Sequence, residues 1–452
     1  MIKLLILAYD FPPYVSVGGL RPYSWYRYFH EFDIYPIVVT RQWSNKHGNY
    51  LDYISEGESN KIIYEKSDYG EIIKTPYHPN LANRILLKYG HSKFKWIRKI
   101  ISAYYEFAQF LFFVGPKAPL YFASNAYLKN NKVDAIIATG DPFILYRYAS
   151  VLSKRYQTPW IADYRDIWSQ GKGLKQMVLF NYWNTFFERK IVKSASSIIT
   201  VSEFLKRNIS KQIKNNSFYV LPNGFSPEAI EATKHIQQEK EYLQIALVGS
   251  IYSWNPISIF LKTLQVFINQ KQSPKIKINF YGVNIYGFTY QSLEELIEKE
   301  FKAIRDYMYV YPRMPNDLVL AELAKQNLLL LFNHFSLMGT KIFEYIGLER
   351  SILFCFENDK EANALKKQNF NIQDIEGIST HLQADLIKET NSGFVIENSE
   401  HLLQKLNELY EEFLKLGYIE CKTKGAEKFS RKNQVQELAQ IINSVTLVKW
   451  KI

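Results

Sequence analysis

Short runs of β-branched and other apolar residues alternate along this chain with longer stretches of helical periodicity. Such alternation is typical of parallel β-sheets whose strands are joined by crossover helices. In the first half it predicts strands at Lys3–Ala8, Ile34–Thr40, Asp134–Thr139, Pro159–Asp163, Ser197–Val201 and Tyr219–Leu221. The helical stretches between them include Leu20–Phe32, Ile144–Tyr156, Met177–Lys193 and Glu203–Lys211.

A second alternation follows a polar stretch with a Pro-Asn-Gly turn, as expected of a domain linker. It predicts strands at Gln244–Val248, Lys275–Tyr281, Met308–Tyr311, Leu328–Phe332 and Ser351–Phe354, and helical periodicity over 425–444. We therefore expect an α/β protein of two doubly wound, Rossmann-like domains that face each other across a cleft. The predicted parts are an N-terminal domain (1–224), a linker (225–242), a second domain (243–428) and a C-terminal helix and tail (429–452), whose helix can return to the N-terminal domain.

Composition supports this architecture and narrows the range of partners. With 452 residues the chain exceeds the size of one ordinary core, and a hydrophobic content of 47% is typical of a folded protein. The net charge of +12 is compatible with nucleic acid, an acidic membrane surface or a phosphorylated small molecule. Because the chain lacks a basic and aromatic nucleic-acid motif, we expect no nucleic-acid partner.

The remaining sequence features favour a cytoplasmic protein without a metal. Cys355 and Cys421 are the only cysteines, and neither has a metal-ligand spacing. The N-terminal residues predict a first strand rather than a signal peptide, and no apolar stretch is long enough to span a membrane.

Residues 92–114 depart from the simple alternation, because Lys and Arg crowd the beginning and aromatic residues the end. One interpretation is a basic amphipathic helix on the inner face of an acidic membrane. The other is a core helix of the first domain with a solvated first turn.

Two segments of the first domain carry candidate chemistry. Residues 10–19 follow the first predicted strand, where Gly18 and Gly19 can approach a phosphate or simply form a turn. At the end of another strand, Asp163, Arg165 and Asp166 are candidate catalytic residues or members of a local ion pair.

A third segment lies in the second domain, where Thr340 is a plausible cap of a predicted helix. Lys341 and Glu344 are three residues apart and share one face of that helix near its positive end. Lys341 can bind a diphosphate as a cation, and Glu344 can accept a hydrogen bond from a sugar hydroxyl. Alternatively, the two residues can form an ordinary surface ion pair.

Taken in order, these segments resemble the GT-B glycosyltransferases, in particular the large retaining family four, from Ile2 to about Gln440. The residues that carry the resemblance are Phe11-Pro12-Pro13, Gly18-Gly19, Asp163-x-Arg165-Asp166-x-Trp168, Val201-Ser202-x-x-Leu205, Pro222-Asn223-Gly224, Gly249-Ser250, Lys341-x-x-Glu344-Tyr345 and Ser351-Ile352-Leu353.

The resemblance implies roles for individual residues in binding a nucleotide-sugar donor. Gly18 and Gly19 would face the diphosphate, with Gly249 and Ser250 at the start of the second domain. Thr340 and Lys341 would lie at the phosphates, and Glu344 would hold the ribose hydroxyls. Backbone near Arg313 would border the base.

The chain also departs from the family pattern. Many relatives have an acidic residue at the position of Ser336 and a basic pair shortly after Gly249, and this chain has neither. Lys341 is then the principal cation expected at the phosphates, unless Arg313 or Arg21 reaches them.

The resemblance implies transfer of a sugar from a UDP- or GDP-sugar to a polysaccharide or lipid-linked acceptor of bacterial surface polysaccharide synthesis, with retention and without a cofactor. Two alternatives stay open, namely a non-catalytic scaffold or nucleotide-sugar sensor, and a nucleotide-sugar epimerase of the same fold.

Overall fold

The computed structural model describes residues 1–14, 16–43, 50–169, 178–214, 217–370 and 372–447. The start of the predicted helix at Met177 and the end of the predicted tail, 448–452, lie outside the described residues. The chain forms two compact units, Met1–Pro222 with Arg431–Ile452, and Asn223–Ser430.

The first unit contains one sheet of eight strands in the order β3-β4-β2-β1-β5-β6-β7-β8. All neighbouring strands are parallel except β3 and β4, which are antiparallel. The strands are β1 (Ile2–Leu7), β2 (Ile34–Arg41), β3 (Ile63–Lys66), β4 (Glu71–Thr75), β5 (Ala135–Gly140), β6 (Trp160–Tyr164), β7 (Ser197–Thr200) and β8 (Phe218–Val220).

Helices connect these strands. They are α1 (Val17–Tyr28), α2 (Tyr50–Tyr53), α3 (Leu81–Tyr89), α4 (Lys95–Ala108), α5 (Ala118–Asn130), α6 (Ile144–Tyr156), α7 (Val178–Val192) and α8 (Glu203–Gln212). Every residue of β5 and β6 is buried, so both faces of the sheet are covered at its centre.

The second unit contains a parallel sheet of six strands in the order β13-β11-β9-β14-β15-β16, and a two-stranded pair β10-β12. The strands are β9 (Leu243–Val248), β10 (Ile251–Tyr252), β11 (Ile276–Tyr281), β12 (Ile285–Tyr286), β13 (Met308–Tyr311), β14 (Leu328–Phe332), β15 (Ser351–Cys355) and β16 (Gly393–Ile396). The helices are α9 (Pro227–Glu231), α10 (Ile257–Asn269), α11 (Leu293–Glu300), α12 (Asn316–Ala324), α13 (Lys341–Leu348), α14 (Lys360–Asn369), α15 (Leu382–Thr390) and α16 (Ser399–Leu416).

The last helix, α17 (Arg431–Leu447), belongs to the first unit, as predicted for a C-terminal helix that returns there. Its residues Val435, Leu438 and Ile442 are buried in the same core as Leu4 and Ile6 of β1. The helix therefore completes the core of a domain whose other residues end at Pro222.

Several elements differ from the sequence-based expectation. Strands β3 and β4 were not predicted, because Glu and Lys interrupt their short apolar runs. Strand β3 is the edge of the sheet, and β4 is its neighbour. The short β16 was also not predicted. Residues 225–242, expected to be a linker, lie in the second unit and contain α9, whose Ile230 is buried in that unit's core.

Replacing Leu438 with Ala should lower the free energy of unfolding by about 2–4 kcal/mol, because it leaves a cavity in a closely packed core. The side chain is 1% exposed. Urea unfolding followed by circular dichroism measures the change. Gln440→Ala, on the exposed side of α17, serves as the control and should change stability by less than about 0.5 kcal/mol. Equal effects of the two substitutions would contradict the placement of α17.

Candidate functional site

In the first unit, the loop after β1 is organised by Ser16. The Ser16 hydroxyl accepts a hydrogen bond from the backbone N–H of Gly18 (3.0 Å) and donates one to Asp10 Oδ2 (2.7 Å). Ser16 thereby caps α1, which begins at Val17. Gly18 and Gly19 thus lie in the first turn of α1 and not, as expected, in a loop before a helix that starts at Leu20.

Arg165 lies against this first turn. Its Nε donates a hydrogen bond to the carbonyl of Gly140 (2.7 Å) and its Nη2 to the carbonyl of Asp141 (3.0 Å), both at the end of β5. A Cβ atom at residue 18 would lie only 2.4 Å from Arg165 Nη1. The structure therefore brings the predicted residues Gly18 and Arg165 together, and a side chain at position 18 would require the guanidinium to shift.

Three carboxylates lie in the electrostatic environment of Arg165. Burial raises the pKa of Asp10 above its usual range; Arg165 opposes this shift and Asp141 adds to it. The pKa of Asp166 is also raised, by the protein packed around it, although its side chain is exposed to solvent. We did not predict Asp10 or Asp141 as site residues, although each follows the carboxyl end of a predicted strand.

Asp163 has a different environment. It is fully buried, and its Oδ1 accepts hydrogen bonds from Arg21 Nε (3.1 Å) and Nη2 (2.9 Å). The Nη1 of Arg21 donates to the carbonyls of Leu221 and Pro222. The ion pair joins α1, β6 and the segment after β8, so the structure places Asp163 within the scaffold beneath Arg165 and Asp166.

In the second unit, the ammonium of Lys341 lies against the backbone that follows β9. A Cβ atom at residue 249 would lie 2.2 Å from Lys341 Nζ, and Gly249 has a φ of +82°, which favours glycine. Lys341 is the first residue of α13, and Glu344 is on its first turn. The structure therefore brings Gly249, with Ser250 beside it in the chain, to the predicted Lys341.

Burial lowers the pKa of Lys341 to about 8, and the nearby Glu344 opposes this shift. The ordinary lysine value is 10.5. Between these two values the unfolded chain binds more protons than the folded one, so this group makes stability rise with pH across that window. Below pH 8 the folded chain holds the buried charge at its full cost.

Thr340 stands at the N-cap position of α13, but its side chain makes no capping hydrogen bond and its backbone is already helical. The expectation that Thr340 caps the helix by its hydroxyl is therefore wrong. Tyr345 instead fastens α13 to the sheet, because its hydroxyl accepts a hydrogen bond from the backbone N–H of Val248 (3.4 Å).

His334, between β14 and α13, was not predicted as a site residue. Its pKa is lowered to about 4, first by burial and then by the charge of Lys341, so the imidazole is neutral at pH 7. Its ring lies 6.2 Å from that of Tyr252, between centroids. No sequence pattern marks this histidine, since its proximity to Lys341 depends on the fold of the connecting loop.

Arg313 follows β13, the edge strand that β11 separates from β9. Its Cα would lie 3.1 Å from a Cβ atom at residue 282, at the end of β11. The structure thus places Arg313 at the ends of β11 and β13, whereas Lys341 lies at the end of β9. Ser336 is buried, and its hydroxyl has no hydrogen-bond partner within the described part of the chain.

Two further observations concern the described residues. No group of His, Cys, Asp or Glu among them could hold a metal ion. None of their helices is long and apolar enough to cross a membrane.

The fold is that of the GT-B glycosyltransferases. Sucrose-phosphate synthase from Thermosynechococcus elongatus is similar with a TM-score of 0.55 and 11% identity, over 98% of this chain and 99% of that one. The catalytic domain of starch synthase IV from Arabidopsis thaliana, bound to ADP and acarbose, has a TM-score of 0.57 and 13% identity over 98% and 99%. HepE from Anabaena, in complex with UDP-glucose, has a TM-score of 0.53 and 13% identity over 98% and 100%.

Residues 75–229 match the family model described as Glycosyltransferase Family 4. This match, with the fold, confirms the predicted resemblance to the GT-B glycosyltransferases. No curated protein matches the chain.

The two aspartates of the first unit should respond differently to loss of charge. Asp163→Asn should lower the free energy of unfolding by about 3–5 kcal/mol, because it leaves the buried Arg21 guanidinium without its counter-charge. Asp166→Asn, at an exposed position, should change stability by less than about 1 kcal/mol. Urea unfolding at pH 7 compares the two, and a larger loss for Asp166→Asn would overturn this assignment.

Proposed function

We propose that this glycosyltransferase moves a hexose-type sugar, with retention, from a UDP- or GDP-sugar to a polysaccharide or lipid-linked acceptor of bacterial surface polysaccharide synthesis. The observation that carries the proposal is the ammonium of Lys341, held against the glycine after β9 at the N-terminus of α13. The complexes of neighbouring structures with UDP-glucose and with ADP support a nucleotide-linked donor.

The second unit has the groups that departure of a nucleoside diphosphate requires. Negative charge grows on the phosphates as the bond to the sugar breaks, and a protonated Lys341 next to helix N–H groups stabilises it. Gly249 and Ser250 would border the phosphates, and Glu344 would accept hydrogen bonds from ribose hydroxyls. Catalysis then rests on position and electrostatics.

In the first unit, we assign to Asp166 the binding of the acceptor substrate. Its carboxylate is exposed, so it can accept a hydrogen bond from a sugar hydroxyl and orient it. Arg165 is fixed by the carbonyls of Gly140 and Asp141 and presents Nη1 towards the first turn of α1. In this proposal Asp163 positions these groups through Arg21 and does not contact the substrate.

Purified protein should transfer sugar from one of a panel of UDP- and GDP-sugars to acceptors in a bacterial membrane extract. Lys341→Ala should lower kcat/KM at least about 100-fold, because it removes a charge that stabilises the leaving diphosphate. Glu344→Ala should mainly weaken donor binding. Radiolabelled sugar incorporation and release of UDP or GDP provide the two readouts.

Lys360→Ala is the matched control, because Lys360 also begins a helix of the second unit and is exposed. It should leave transfer unchanged. Full activity of Lys341→Ala and Glu344→Ala would refute the donor site. Nucleotide binding without transfer would indicate a scaffold or sensor, and conversion of the donor without an acceptor would indicate an epimerase.

A surface of the first unit supports a membrane-bound acceptor. Of the residues of α4, only Ala108 is buried, which disfavours a core helix over the length of α4. Gln109 and Phe110, just after α4, are buried. Trp96, Ile100 and Tyr104 recur along one face and are 76%, 69% and 60% exposed.

Helix α7 lies beside α4, since Phe107 of α4 contacts the rings of Phe180 and Trp183. It also exposes apolar side chains, among them Tyr182 and Phe186. Lys93, Lys95 and Lys99 at the start of α4, and Arg189 and Lys190 at the end of α7, are exposed. Apolar side chains bordered by cations fit the surface of an anionic bilayer.

The triple substitution Trp96→Ser, Ile100→Ser and Tyr104→Ser should reduce flotation with vesicles of 30% phosphatidylglycerol at least about tenfold, since each residue loses apolar burial in the interface. The control replaces Leu318 and Leu414 with Ser, two residues of the second unit that are each 54% exposed. Wild-type flotation that is indifferent to anionic lipid, or to replacement of Lys93, Lys95, Arg98 and Lys99, would refute the membrane surface.

A further inference from the structure

The loop between β14 and α13 is fastened to the start of α15. The backbone N–H of His334 donates to Gln383 Oε1 (2.8 Å), and the N–H of Leu382 donates to the Phe335 carbonyl (3.3 Å). Asn333 Nδ2 lies 3.2 Å from His381 Nδ1. The start of α15 therefore determines the position of the loop that leads to Lys341.

The side-chain amide of Gln383 is hydrogen-bonded through its oxygen, and its nitrogen makes no hydrogen bond to the described residues. Because the His334 N–H requires an acceptor, the amide must present its oxygen there, and this fixes the position of Nε2. The side chain is fully buried, and Nε2 has no hydrogen-bond partner in the part of the chain that the structure describes. A buried donor left unpaired is costly and rare in folded proteins.

The unused donor lies at the site proposed above. A Cβ atom at residue 339 would lie 3.5 Å from Gln383 Nε2 and 3.7 Å from His334 Nδ1. Gly339 is two residues before Lys341, the first residue of α13. The amide nitrogen, the imidazole and the helix N-terminus therefore lie around one short stretch of backbone.

We infer that Gln383 is a further donor-binding residue, whose Nε2 donates a hydrogen bond to an oxygen of the nucleotide sugar bound at the N-terminus of α13. This inference rests on the proposed function. An N–H donor can be satisfied only by an acceptor, and both the phosphates and the sugar hydroxyls of a nucleotide sugar supply one. An amide cannot be protonated or deprotonated at physiological pH, so this contact keeps its polarity while Lys341 titrates.

Two substitutions separate contact with the ligand from support of the loop. Gln383→Glu keeps an oxygen for the His334 N–H but replaces the donor with an acceptor that repels phosphate oxygens. Gln383→Met loses the bond to His334 as well as the donor but adds no charge. If Gln383 contacts the ligand, Gln383→Glu should bind the nucleotide more weakly than Gln383→Met. If Gln383 only supports the loop, Gln383→Met should bind it more weakly.

Isothermal titration calorimetry with UDP, GDP, UDP-glucose and GDP-mannose provides the test at pH 7. For the nucleotide that the wild type binds, Gln383→Glu should raise Kd about tenfold or more, and Gln383→Met by less. An effect on both the diphosphate and the sugar conjugate places the contact at a phosphate, and an effect on the conjugate alone places it at the sugar.

Gln326→Glu is the matched control, because Gln326 is a buried glutamine of the same unit with both amide ends paired. Its Oε1 accepts from Asn279 (2.9 Å), and its Nε2 donates to the Glu322 carbonyl (3.0 Å). It should lower the melting temperature but change Kd less than twofold. Wild-type Kd for Gln383→Glu, or weaker binding by Gln383→Met than by Gln383→Glu, would overturn the inference. Absence of nucleotide binding by the wild type would instead refute the proposed function.

Discussion

The parallel arrangement of buried strands is the constraint on which both units depend. Central strands such as β5 and β14 are covered on both faces, so they admit almost only apolar side chains along their length. Charged side chains are therefore absent from these two strands, and Asp10, Asp141 and Arg165 lie where strands end. Because parallel strands end at the same edge, residues distant in sequence, such as Asp10 and Arg165, share one environment there.

Within this arrangement Arg21 and Arg165, both in the first unit, serve different purposes. Arg21 is buried and neutralises Asp163, which makes a rigid support out of two groups that would each be costly alone. Arg165 uses backbone carbonyls as its partners and leaves part of its guanidinium beside Gly18. Asp163, which belongs to the rigid support, is thus only two positions before Arg165, a candidate site residue.

The sequence was sufficient for the elements with continuous apolar runs and for the ordered motifs at their ends. It was insufficient for edge strands such as β3, where one face is exposed and the apolar run is broken by charges. It also could not reveal partners set by tertiary structure. Asp163 pairs with a residue 142 positions away, and Gln383 lies at the start of a helix that no motif marks.

The structure also shows neighbours of two predicted glycines, Gly18 and Gly249, that the sequence did not reveal. A side chain at residue 18 would displace the Arg165 guanidinium, and one at residue 249 would displace the Lys341 ammonium. Each glycine therefore lies beside a cation from elsewhere in its own unit, and Gly249 also has a positive φ that favours glycine. Sequence alone shows only that a small residue stands after a strand, which is also the pattern of an ordinary turn.

The desolvated ammonium of Lys341 also affects the stability of the folded protein in the cell. Burial that disfavours the charged form of Lys341 lowers the stability of the folded protein while the lysine is protonated. An anion that binds there stabilises the folded state, and its effect grows as its concentration rises above Kd. Under the proposed function, the supply of nucleotide sugar would determine both how fast the enzyme works and how long it resists unfolding and proteolysis.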